Sequence, residues 1–476
     1  MKVAIAIICA FVCLAAVLVI RALTARMKAK KPSAEKEHFS REKQIEYATR
    51  LGEMIRCETV SVKGSYDDTE FAKLRETVKK LFPNVHSAAK RMTFGDDCWI
   101  YKIEGKDKSR NVMLMSHHDV VAVKGEWEHP GFCGEIFGNE IWGRGTVDTK
   151  TSLFAEFQAL EELLAEGFVP ETNLWIGSSH NEEILGDGIP LAVKYFKEQG
   201  IEFESVLDEG GGIVVPPIGG IKPKCAMIAV HEKGRRVLIC TLKQGKVKNS
   251  LAANNDTAIS LMAKFINEVN NSKIFKRRLY PEVRIMLEQL SPYTPFVLSL
   301  VFSNLWLFGP VVKAIMPKIN PMADSLVGTN CYFTEISGNH TDKVCTVRVY
   351  FRNMSNADFE KELEKFREIA KKYGIEIEEG GCDERVEPAD INHKNFAYTR
   401  ECIEKIFPHT VSASYVLPAG TDARHMTQVS PCALRFAPIE MTPQQFNSVH
   451  NENENIAIKS VADAVAFYRC YIENYR

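Results

Sequence analysis

The apolar run Val112-Met113-Leu114 leads into Met115-Ser116-His117-His118-Asp119-Val120-Val121. The run reads as a buried strand, so the stretch sets an imidazole able to bind metal at a strand tip. Residues two apart on an extended chain point the same way, and Asp119 can therefore orient His117. A His near an Asp is, alone, most often an ordinary pair. Four later stretches, each ending or following an expected strand, turn the balance towards a metal site. They are Trp142-Gly143-Arg144-Gly145-Thr146-Val147-Asp148-Thr149-Lys150, His180-Asn181-Glu182-Glu183 after Leu174-Trp175-Ile176-Gly177, Val206-Leu207-Asp208-Glu209-Gly210-Gly211, and Ser448-Val449-His450. Together they supply two His and several carboxylates, the ligand set for a pair of zinc ions bridged by one carboxylate. The adjacent Glu182 and Glu183 suit divided work, one binding metal and the other taking a proton from the attacking water.

With Glu232-Lys233-Gly234 and Gly420-Thr421-Asp422-Ala423-Arg424 added, these motifs make the chain from roughly residue 40 onward resemble the zinc-dependent aminoacylase and carboxypeptidase metallopeptidases. Within that family it is most similar to the branch of carboxypeptidase S and the N-fatty-acyl-amino-acid synthase/hydrolases. The order and spacing of the motifs are far more specific than any one of them. The resemblance implies that His117 and His450 each bind one of two zinc ions, or other divalent metals in their place. It further implies that Asp148 bridges the ions, that Glu183 completes one shell, and that Glu209, or Asp208 in its place, completes the other. Asp119 then holds His117 in its ligating tautomer, and Glu182 is the general base. Arg424 is a candidate clamp for a substrate carboxylate, with a structural salt bridge as its equal rival.

Two lid positions of the family depart from its pattern. Where the family has a His that stabilises the oxyanion, the matching stretch Gln244-Gly245-Lys246-Val247-Lys248-Asn249-Ser250 holds none, and Asn249 takes the place. Asn donates a hydrogen bond without a charge, so transition-state stabilisation should be weaker. Asn339 matches a substrate-binding Asn, but His340-Thr341-Asp342 follows it in place of Val-Ile-Pro.

The elements that must position these groups follow from the hydrophobic pattern. A chain of 476 residues exceeds one ordinary core, so two domains are expected. Helical spacing marks 42–56, 71–81, 151–166 and 191–200, with apolar strands between them, and that alternation means an α/β layered domain of mixed sheet and helices. After Gly234 the pattern changes to strands at 237–242 and 344–352 and helices at 257–269 and 357–373. This resembles the family's smaller α+β lid or dimerisation domain, and so a homodimer, at 236–353. It interrupts a catalytic domain at 38–235 and 354–476.

Residues 3–20 are continuously apolar between Lys2 and Arg21, long enough to just span a bilayer. The segment 1–30 is therefore read as a single-pass anchor or an uncleaved signal, with a cleaved signal peptide as the rival and the membrane side of the following domain left open. A second apolar stretch at 296–315 reads as a buried lid helix, with an acyl-facing wall and a second span as its rivals. A net charge of −1 argues against a nucleic-acid partner. The expected substrate is a small peptide or an N-acyl amino acid. The alternatives are a deacetylase of short N-acyl amino acids and a membrane-tethered zinc protein without turnover.

Overall fold

The computed structural model describes residues 1–215, 219–243, 257–339, 343–383 and 385–476. Strand Asp107–His117 lies inside a nine-stranded mixed sheet, between its parallel neighbours Thr172–Ser179 and Ser205–Asp208. The sheet continues through Ala433–Arg435, Cys225–Glu232 and Val411–Leu417 on one side, and through Cys98–Ile103 and Lys90–Phe94 on the other. Both faces are covered, which is why the central strands are unbroken apolar runs rather than alternating ones. Val112 and Leu114 face a core shared with helices Arg41–Ile55, Lys150–Ala165 and Ile458–Asn474. Met113 and Met115 face the opposite core, under helix Gly188–Glu198.

The helices obey the spacing read from the sequence. Arg41–Ile55 buries Tyr47, Ala48, Leu51, Met54 and Ile55, and Ser40 caps its start by accepting from the Lys43 amide. Each fully buried Leu or Ile there contributes about 1.5–3 kcal/mol. Lys150–Ala165 is buried along nearly its whole length, and the Lys150 ammonium donates to the carbonyls of Met54 and Cys57. The three adjacent parallel strands end on the same side of the sheet. The loops that follow them therefore share one crevice, where sheets of this kind place their sites.

Gly234–Lys243 opens a second sheet, antiparallel and four-stranded, in the order Asn330–Asn339, Val344–Asn353, Gly234–Lys243, Glu376–Asp383. Helices Ala258–Asn271 and Asn356–Lys372 pack on it through Phe265, Phe359, Leu363 and Phe366. The lid boundary expected at 353 is thus corrected. Glu376–Asp383 pairs with Gly234–Lys243, so the unit extends to residue 383.

The stretch at 296–315 also departs from expectation. It is no single lid helix: Phe296–Phe302 and Leu305–Lys318 meet at a bend of 109°. It leaves the lid altogether. Together with helix Pro281–Leu290 it packs on the catalytic sheet, where Val283, Leu290, Phe302 and Leu305 share a core with Met227, Ala413 and Val416. The N-terminal helix Lys2–Lys28 is long and apolar enough to cross a membrane and lies against this bent pair.

Candidate metal centre

His117 ends the central strand with its side chain buried. Its Nδ1 donates to the Asp119 backbone carbonyl at 3.0 Å, and the Asp119 carboxylate lies 3.4 Å away. The Nε2 is thereby turned out of the sheet, 3.0 Å from Asp148 Oδ1. The neighbouring His118 alternates to the other side, where it stacks on Trp99 at 4.0 Å and meets the Ser178 hydroxyl.

Asp148 closes the Gly143-to-Asp148 loop. Gly143 and Gly145 have φ of +142° and +92°, and a Cβ on Gly143 would lie 2.4 Å from Ile55 Cγ2. Only glycine lets the loop run this close to helix Arg41–Ile55. On the far side, His450 Nε2 lies 3.0 Å from Asp148 Oδ2 and 2.9 Å from Glu183 Oε2. His450 itself sits at φ +61°.

The donors fall into two triads, His117, Asp148 and Glu209 in one and Asp148, Glu183 and His450 in the other. Within each triad the donor atoms lie within 4.8 Å of one another. Asp148 belongs to both, offering one oxygen to each imidazole. The two nitrogens and the carboxylates are the donor set zinc takes. The electrostatics fit a cation. Burial opposes protonation of His117, yet Asp119 and Asp148 outweigh it and hold its pKa well above the ordinary imidazole value. Contacts with Asp148 and Glu183 raise His450 to about 10. Burial, reinforced by Asp148, Asp208 and Glu183 against the pull of His117, holds Glu209 well above the usual carboxylate range. Glu183 Oε1 is buried without a hydrogen-bond partner. A cluster that binds extra protons this tightly is short of positive charge, which metal ions would supply.

Asp208, the alternative to Glu209, is engaged elsewhere. Its two oxygens accept from the amides of Ala423 at 2.7 Å and Glu209 at 2.9 Å. Glu182 lies in neither triad. Its pKa stands well above normal, through burial first and then the nearby Asp422, Glu209 and Glu183, against the pull of His117. Arg424 faces it at 3.8 Å and Asp383 at 3.4 Å, while the Arg424 Nε donates to Thr421 O. Asn339 belongs to the second sheet. It closes strand Asn330–Asn339 at the exposed end, nine residues and roughly 30 Å beyond Asn330. Asn249 lies outside the described residues.

Two functional contacts escaped sequence reasoning. The Asp119 carboxylate accepts the amides of Glu182 at 3.2 Å and Glu183 at 3.1 Å, so one residue sets both His117 and the paired-glutamate loop. Glu454 is fully buried and bonded to Arg144, and its Oε1 accepts from the amides of Gly145, Val147 and Asp148 at 3.1, 2.7 and 3.1 Å. Arg144 also donates to Asn451 O at 2.7 Å, tying the Asp148 loop to the His450 loop.

The profile of peptidase family M20/M25/M40 matches residues 113–474. The chain belongs to that family. Its relatives in this family include the probable carboxypeptidase S-like 2 of Dictyostelium discoideum, 28% identical over 95% of this chain and 90% of that one. The human N-fatty-acyl-amino acid synthase/hydrolase is 28% identical over 92% of this chain and 89% of its own. The crystal structure of an M20 family metallo-carboxypeptidase from Sulfolobus solfataricus shares the fold, with a TM-score of 0.65 at 19% identity over 90% of this chain and 98% of that one. As a member of the M20 family the chain is a hydrolase.

Beside the centre lies an apolar cavity of about 710 Å³. Asp148 and Glu209 form one end, and Met227, Met322, Tyr415, Leu417 and Met441 are among its walls. None of the residues 296–308 line it. A second cleft of about 580 Å³ holds Arg424, Asp422, Asp383 and Asn181. The 420–424 loop separates the two, since Gly420 and Thr421 line the first and Asp422 and Arg424 the second.

Proposed function

We propose that this chain is a two-zinc hydrolase of amide bonds next to a free carboxylate, with N-acyl amino acids bearing long apolar acyl groups as its preferred substrates. The observation that carries the reading is the position of Asp148, shared by two triads at the end of an apolar cavity, with Arg424 just beyond in a polar cleft. An acyl chain fits the first compartment and an amino-acid carboxylate the second, which sets the amide between them.

His117, Asp148 and Glu209 would hold one zinc ion, and Asp148, Glu183 and His450 the other. Bound there, zinc would polarise the amide carbonyl and acidify water. Glu182 takes the proton from the water as its oxygen adds to the carbonyl carbon. It then delivers that proton to the amine nitrogen as the carbon–nitrogen bond breaks. Arg424 grips the carboxylate through its guanidinium edge. We also read Lys2–Lys28 as a single-pass membrane anchor, with Arg21, Arg26 and Lys28 leaving the bilayer.

Metal analysis tests the centre directly. The purified protein should carry about two zinc ions per chain. Asp148→Ala should lose both, because each triad loses its shared carboxylate, while His450→Ala should keep about one. Well under one ion per chain in undepleted protein would end the proposal.

The substrate reading is tested with N-acyl amino acids of rising chain length. Each methylene buried in the cavity should add up to about 0.8 kcal/mol, so kcat/KM should rise up to several-fold per carbon until the cavity is full. A flat response would remove the acyl cavity from the account. Equal cleavage of substrates amidated at the carboxylate would remove the Arg424 clamp.

A further inference from the structure

The bent pair Phe296–Phe302 and Leu305–Lys318 leaves large apolar side chains in solvent beside the N-terminal helix. Val297 is 73% exposed, Trp306 56%, Val311 53% and Ile315 50%. In the second helix Leu307, Val311 and Ile315 recur every four residues on one exposed face, while Leu305, Gly309 and Val312 are buried. The helix is apolar on both faces, so one side packs on the protein while an equally apolar side is turned to solvent.

Its placement against the N-terminal helix is fixed by named bonds. Arg26 donates to Thr294 O at 2.7 Å, Arg21 to Ser303 O at 3.1 Å, and Asn304 to Leu18 O at 3.0 Å. Phe296–Phe302 therefore runs alongside the N-terminal helix and reaches its turn where the apolar span of that helix ends. The 109° bend then turns the following helix nearly across that axis. If the N-terminal helix stands upright in a bilayer, Leu305–Ile315 lies in the plane of the headgroups, with Trp306 at the depth indoles favour.

The same segment leads to the active centre. Asn320, Pro321 and Met322 follow directly on its end, and all three line the apolar cavity that finishes at Asp148 and Glu209. We infer that residues 296–319 form a wedge seated in the surface of a lipid bilayer, which sets the mouth of the acyl cavity at the membrane so that amphiphilic acyl substrates enter headgroup first with their tails still in lipid. The inference rests on the anchor and substrate readings above. It adds a membrane-contacting surface and a route of entry.

The test uses the full chain in phosphatidylcholine vesicles containing doxyl-labelled lipid. The N-terminal helix has no Trp, so the fluorescence lost in Trp306→Phe isolates the wedge. A doxyl group near the lipid carbonyls should quench that component at least about two-fold more than one near the terminal methyl. An unquenched Trp306 component in protein that resists an alkaline carbonate wash overturns the wedge and leaves the anchor standing. If the wash releases the protein, the anchor reading fails. The wedge is then judged by the same quenching with vesicles added to the released protein, and its absence overturns it.

Delivery is read from a ratio, the hydrolysis rate of a long-chain acyl amino acid held in vesicles over that of a short, soluble one. Val297→Asp with Val311→Asp should lower this ratio about ten-fold, and the ratio does not depend on how much of the variant folds. An unchanged ratio overturns delivery. Absence of hydrolysis of either substrate by the unmutated protein overturns both the substrate reading and delivery, while Trp306 quenching still decides the wedge.

Discussion

Glu182→Gln is expected to keep a full complement of metal and lose turnover by about 10²–10⁴-fold. Metal should stay because Glu182 belongs to neither triad. The fold should stay because the loop is held by backbone, through the Glu182 and Glu183 amides on Asp119, and those bonds do not involve the Glu182 side chain. Gln matches Glu in size and still meets Arg424 by its carbonyl oxygen, so what is removed is the capacity to take and return a proton. The loss should fall on kcat, since a proton in flight exists only on the way to the transition state. Metal content by elemental analysis and steady-state kinetics on one preparation decide it. Turnover within a few-fold of the parent would move the base to another residue, and loss of metal would make Glu182 a ligand.

The groups that converge here were readable because each is announced locally. His117 ends an apolar strand, Asp148 follows a Gly-Arg-Gly loop, and Glu183 and Glu209 follow the two strands that flank the first in parallel. A strand end is a point on a known lattice, so local pattern plus the parallel rule is enough to bring them together. The lid was legible in type but not in extent. Glu376–Asp383 reads Glu-Ile-Glu-Glu-Gly-Gly-Cys-Asp and has no fully buried residue, and its place comes from pairing with a strand more than a hundred residues earlier. The segment 296–315 misled for the opposite reason. Its apolarity is plain, but apolar composition does not say whether the partner is a lid core, a cavity or lipid.

Glu454→Ala is expected to lower stability by about 3–5 kcal/mol, the usual cost of leaving a buried charge without its partner. Arg144 is the charge in question, 2% exposed and bonded to the Glu454 carboxylate. A second loss adds to it, because the amides of Gly145, Val147 and Asp148 lose the oxygen they share. The two parts separate by design. Removing both charges with Arg144→Met and Glu454→Leu should recover most of the ion-pair part, since apolar replacement of a buried pair is often neutral. The orphaned amides should still cost about 1–3 kcal/mol, as buried unsatisfied donors do. Those amides hold the loop that aims Asp148 at both imidazoles, so the double variant should also bind metal about 10–100-fold more weakly, the range found when outer groups that orient ligands are lost. Denaturant unfolding gives the first number and metal titration the second. A double variant with parental metal affinity would mean the Asp148 carboxylate is positioned by its own loop, with Glu454 serving stability alone.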